Sequence, residues 1–173
     1  MANLASTFWN QGRWKEAEEL FLQVMESRKR VLGQEHPSTL TSMANLASTY
    51  RNQGRWKEAE ELEVQVMGTS IRVLGQEHPD TLTSMANLAL TYQNQGRWKE
   101  AEELNVQVFQ MSARILGLQH PQTLTTLKNL FGILLSHSGG EEALDFVKHL
   151  LDNMDLHANQ SDAGSKQPEM SLG

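Results

Sequence analysis

Cysteine is missing from all 173 residues, which rules out a disulfide framework, a thiolate nucleophile and a cysteine-ligated zinc. No apolar run approaches the ~20 residues that a membrane-spanning helix needs. The opening Met1-Ala2-Asn3-Leu4 has neither the charged start nor the apolar stretch of a secretory signal. A basic excess is lacking too. The net charge is −6, which argues against a general binder of phosphate backbones. Also absent are an H-E-x-x-H helix, a Gly-rich phosphate loop ending in Gly-Lys-Ser/Thr, and a G-x-S-x-G elbow. These absences make the expectation a soluble, cytoplasmic protein with no cofactor, no metal site, and neither nucleic acid nor membrane as partner. Catalysis is the remotest alternative.

What the chain does contain is a repeat. Met43-Ala44-Asn45-Leu46-Ala47 recurs as Met85-Ala86-Asn87-Leu88-Ala89, and the chain opens with the same five residues. Residues 52–62, Asn-Gln-Gly-Arg-Trp-Lys-Glu-Ala-Glu-Glu-Leu, match 10–20 and 94–104 without a change. The period is 42, and residues 37–78 agree with 79–120 at 31 of 42 positions. A fourth, eroded copy keeps His120-Pro121, Asn129-Leu130 and Glu142-Ala143, but has Gly140 where Trp98 would recur. Such erosion suits a terminal repeat whose outer face meets water. The polar residues 157–173 read as a disordered tail. The organisation expected is an array over 1–156, with repeats 1–36, 37–78 and 79–120 and a degenerate capping repeat 121–156.

Each unit reads as two helices. Leu40, Met43, Leu46, Ala47 and Tyr50 step by three and four and give helix A an apolar stripe. Gly54 supplies the left-handed stop that ends it. Helix B then runs from about Arg55 to Leu74, with Ala59, Leu62, Val66 and Val73 on its buried face, and Gly75 ends it. Pro79 blocks continuation, and Asp80, with Thr83 three residues on, is positioned to cap the next helix A. Neither helix covers its stripe alone, so each pair must stack on its neighbour. Trp14, Trp56 and Trp98, opening helix B, are expected in the core, and His36, His78 and His120 in the turns between repeats.

The pattern resembles the tetratricopeptide motif, W-x2-L-G-x2-Y, then A-x3-F, then P. Met43, Leu46, Ala47, Tyr50 and Ala59 occupy the corresponding places. The last aromatic position is held by Phe21, but then by Glu63 and Asn105, an exchange expected to loosen helix B. The 42-residue unit, with its Gly-Arg-Trp-Lys-Glu-Ala-Glu and Leu-Gly-Gln-Glu-His-Pro segments, is similar to the tetratricopeptide domain of kinesin light chains. It is also similar to the near-identical arrays at the C-terminus of fungal signalling ATPases with NB-ARC or NACHT domains. The resemblance implies an all-α fold, an α-solenoid or superhelical array of about 3.5 helix–turn–helix repeats. The first unit lacks a counterpart of Pro37–Ser42. That points to a fragment of a longer array or a frayed first helix, and an uncapped first repeat offers a surface for self-association.

In the family the resemblance names, helix A lines a concave face. Opposite its buried stripe, helix A of the second unit carries Thr41, Asn45, Ser48 and Asn52, and that of the third Thr83, Asn87, Leu90 and Asn94. The flanking units add Asn3, Ser6 and Asn10, then Thr125, Asn129 and Ser136. A side-chain amide both donates and accepts, so it can pair with the backbone of an extended peptide. Helices pack 8–10 Å apart and a strand rises about 3.3 Å per residue, so one groove Asn engages roughly every third peptide residue. By resemblance, Asn45, Asn87 and Asn129 match the asparagines that hold peptide ligands in such repeats. The alternative is that these amides bond within or between helices. Only Arg51 and Lys128 put cations near the stripe, so a largely neutral, mildly polar ligand is expected. The leading function is a protein–protein interaction module or scaffold; the alternative is a structural or sensor arm of a larger NB-ARC/NACHT-type ATPase.

Overall fold

His-Pro starts and Gly stops divide the chain into eight helices among the residues described. They are α1 (Ala2–Asn10), α2 (Trp14–Leu32), α3 (Pro37–Asn52), α4 (Trp56–Leu74), α5 (Pro79–Asn94), α6 (Trp98–Leu116), α7 (Pro121–His137) and α8 (Gly140–Ala163). The structure is a computed structural model that describes the backbone of residues 1–163. Residues 164–173, most of the tail expected over 157–173, lie outside the described residues. The chain forms two compact units, one ending at Leu130 and the other beginning at Phe131.

In the first unit each helix from α1 to α6 packs on the next in sequence. Close approach depends on small residues. Ala5, Ala17, Ala47, Ala59, Ala89 and Ala101 are fully buried where helix A meets helix B. Around them Leu40, Met43 and Val66 form one core cluster, and Leu82, Met85 and Val108 its counterpart a repeat later. In the second unit Ile133, Leu134, Ala143 and Leu150 are buried.

The turns have two chemistries. After helix A, Gly54 takes φ +76°, a left-handed conformation that a Cβ would penalise. Before the next helix A the histidine is the cap. Nδ1 of His36, His78 and His120 accepts the backbone N–H of Ser38, Asp80 and Gln122 at 3.1, 3.1 and 3.2 Å. The Asp80–Thr83 cap is therefore corrected. With Pro79 as the first helical residue, Asp80 lies inside the helix, whereas a cap must precede it. Thr83 instead donates to the Pro79 carbonyl. Removing the cap with His78→Ala should cost about 1 kcal/mol, seen as a lowered urea midpoint with unchanged slope; an unchanged midpoint would discount the cap.

Polar clamps join successive repeats at both ends of helix B. Arg55 and Gln53 reach back to Glu18 at 2.8 Å each. One repeat later Arg97 and Gln95 reach Glu60 at 2.7 and 2.8 Å. Each arginine also lies over an aromatic ring of the preceding helix A, Arg55 over Tyr50 at 4.1 Å and Arg97 over Tyr92 at 4.0 Å. At the other end Arg72 pairs with Glu35 and Arg114 with Glu77. The clamps tie each helix B to the repeat that follows it.

Two packing expectations change. Val73 is 44% exposed, because α4, at 19 residues, is three longer than the α5 on which it packs, and its last turn overhangs. The buried row is Ala59, Glu63, Val66 and Ser70. Trp56 is 41% exposed and Trp14 and Trp98 are only half-buried. As the first residue of helix B, each tryptophan sits at the end of its helix pair, outside the core. With Phe21, Glu63 and Asn105 at the same position, the helices α2, α4 and α6 all have 19 residues. Both polar side chains are buried with partners, Arg51 for Glu63 and the Ala101 carbonyl for Asn105.

Candidate functional site

A helix turns about 100° per residue, so steps of four, three and four return a side chain to one face. On α3 these steps bring Thr41, Asn45, Ser48 and Asn52 into line, and on α5 Thr83, Asn87, Leu90 and Asn94. Three clefts follow this row within the first unit. The first, of about 240 Å3, has Thr41, Asn45, Thr83 and Asn87 on its walls, with Val66 and Ser70 of α4 between them. A second, of about 260 Å3, shares Asn45 and adds Ser48, Ser6, Asn10 and Phe21. A third, of about 510 Å3, shares Ser48 and adds Asn52, Leu90, Asn94, Trp9, Arg51 and Trp56.

Shared walls make the clefts a continuous track. Eight of the ten residues singled out from the sequence line it. Asn3 on α1 and Asn129 on α7 are exposed but line none of the three.

The amides on this track are not engaged elsewhere. Among the described residues the side chains of Asn45, Asn52, Asn87 and Asn94 make no hydrogen bond within the protein; Asn45 and Asn87 contribute only backbone carbonyls. Their donors and acceptors therefore face the clefts unpaired. The threonines differ, since Thr41 and Thr83 donate to carbonyls of their own helix, Pro37 and Pro79, both at 2.9 Å. They keep acceptor lone pairs for a ligand but not the proton.

The pairing of Arg51 with Glu63 is the feature that sequence reasoning missed. Arg51 lines the third cleft with only 12% of its side chain exposed, and its guanidinium donates to Glu63 of α4 at 2.9 Å and to the Asn87 carbonyl of α5 at 3.3 Å. Glu63 is 3% exposed. Burial pushes its carboxyl up to about 7, although the Thr91 hydroxyl and the Arg51 charge pull it down; nearby Glu60 adds to the rise. Burial likewise lowers the Arg51 guanidinium, against the pull of Glu63. A signal for this pair was present. Over residues 37–66 the second unit differs from the third at four positions, and Arg51 and Glu63, which become Gln93 and Asn105, are two of them. In the first unit the same positions are Trp9 and Phe21, which share one apolar cluster.

The track is otherwise weakly charged, with Asp80 in the first cleft and Arg51 in the third. No group of three or more potential metal ligands occurs among the described residues, and no helix among them is long and apolar enough to cross a membrane.

Residues 1–69 and 81–122 match two models described as tetratricopeptide repeat. No curated protein matches significantly. Among solved structures, the chain is similar to the nearly identical TPR-like repeats of a Podosopora anserina kinesin light chain. The likeness is 32% identity over 97% of this chain and 76% of that one, with a TM-score of 0.78. A second crystal structure of those repeats gives 32% identity, 89% and 73% coverage, and a TM-score of 0.77. BtubC from P. vanneervenii shares the fold at 17% identity, with 99% and 67% coverage and a TM-score of 0.74.

Proposed function

Because the chain belongs to the tetratricopeptide repeat family, whose repeats act as protein–protein interaction scaffolds, we propose that it binds an extended segment of a partner protein along the helix A row. The segment lies over the α3–α5 clefts, and Asn45 and Asn87, with Asn52 and Asn94 further along, pair with its backbone. The observation that carries this reading is the continuous track bearing four unpaired amides. A donor or acceptor that a guest covers without pairing it costs about 1–3 kcal/mol, so these groups favour a guest that supplies hydrogen bonds. With one acidic and one largely neutralised basic side chain on the track, a mostly neutral, polar segment fits. The test is capture of partners by the wild-type chain and by the Asn45→Ala/Asn87→Ala double variant. The affinity of the captured partner should fall about 10- to 100-fold with helicity unchanged. Undiminished capture by the double variant would remove the reading.

A further inference from the structure

Arg51 and Glu63 are replaced by Trp9 and Phe21 in the repeat before and by Gln93 and Asn105 in the repeat after, and their geometry is that of a coupled pair. Arg51 lines the third cleft with Ser48, Asn52, Leu90 and Asn94, and its Nη2 lies 3.5 Å from the Ser48 hydroxyl on that wall. From behind, Glu63 neutralises the guanidinium at 2.9 Å, with the second carboxyl oxygen shut off from solvent. The groups facing this carboxyl are few. They are Arg51 on α3, Glu60 on its own helix α4, and the Thr91 hydroxyl on α5. Asp80, the only charged residue of α5, is eleven residues from Thr91, about 16 Å along the helix.

We propose that Arg51 and Glu63 make the third cleft a proton-gated carboxylate site: while Glu63 is ionised the cleft takes neutral groups, and once Glu63 is protonated Arg51 turns its charge to a carboxylate of the bound chain. The proposal rests on the helix A row being the binding face. The balance is one proton taken from solvent onto the Glu63 carboxyl for each carboxylate bound, with no bond made or broken at Arg51. Burial of Glu63 places this exchange near neutrality. Linkage makes it reciprocal, since a carboxylate bound at Arg51 must raise the midpoint at which Glu63 titrates.

The experiment uses the full chain and two probes of equal shape, N-acetyl-leucine and N-acetyl-leucinamide, followed by the NMR amide signals of Ser48, Leu90 and Asn94. The acid probe is ionised at both pH 8 and pH 6. Between these values the carboxylate-competent fraction changes from about 0.1 to about 0.9, so its apparent affinity should rise about tenfold while that of the amide stays constant. In Glu63→Gln the acid probe should bind equally at both pH values, and in Arg51→Gln it should lose its advantage at pH 6. A third reading needs no variant. The Glu63 carboxyl carbon of the wild-type chain should titrate at higher pH in the presence of the acid probe. An acid-probe affinity that ignores pH, or a Glu63 midpoint that the probe leaves in place, overturns the gate while leaving the binding face intact. Silence of all three amide signals with both probes at every pH would overturn the binding face and the gate with it.

Discussion

Leu46→Ala should destabilise the chain by about 2–5 kcal/mol, whereas Leu4→Ala, the same substitution at the same repeat position, should cost well under 1 kcal/mol. Leu46 is 1% exposed and belongs to the cluster of Ala5, Ala17 and Phe21, contributed by the preceding helix pair. Leu4 is 50% exposed. Sequence and helix are matched at the two positions, so the difference isolates burial between stacked repeats. Truncating Leu46 removes its transfer free energy and leaves a cavity in a junction that small alanines keep tight. Urea denaturation of the two variants reads the effect. Equal shifts in midpoint would mean that stacking is not what stabilises the array.

Glu63→Gln should flatten the dependence of stability on pH between about 5 and 7. The folded-state carboxyl of Glu63 is raised to about 7 from an ordinary value of 4.5. Such a group contributes stability that is fully present below the lower value and is lost as pH rises through the upper one. Each tenfold change in proton affinity on folding corresponds to about 1.4 kcal/mol, so the wild-type chain should lose up to about 3 kcal/mol across this window relative to the variant. The carboxyls of Glu16, Glu35, Glu58 and Glu100, held down by arginine partners, are common to both proteins and cancel in the comparison. Parallel stability profiles from pH 5 to 8 would contradict the placement of this carboxyl in the core.

Much of the fold was legible because it is written three times. The 42-residue period, the glycine stops and the small alanines each state a local backbone or packing requirement, and repetition separates them from accident. The row Thr41, Asn45, Ser48 and Asn52 could be drawn because helical geometry fixes which side chains share a face. What could not be drawn depends on where helices end relative to one another. Val73 continues the apolar spacing of α4, but its turn extends past the neighbouring helix, and no property of Val73 itself reports that. Trp56 opens its helix with a bulky ring that looks like core, yet as the first residue of α4 it lies at the end of the helix pair and stays 41% exposed. The histidine caps escaped because Asp80 is the more familiar capping residue, and only the position of Pro79 moves the cap back to His78. Glu63 looked like a defect in an apolar row until Arg51, twelve residues earlier, was found beside it.

The binding face is tested most directly by photo-cross-linking. A benzoylphenylalanine placed at Ser48, between the second and third clefts, is compared with one at Lys57 on helix B, outside all three clefts on the helix A row. With the partner captured by the wild-type chain, the label at Ser48 should cross-link to a short extended segment of that partner and the label at Lys57 should not. Cross-linking from Lys57 with none from Ser48 would place the partner on the opposite helices and contradict the account.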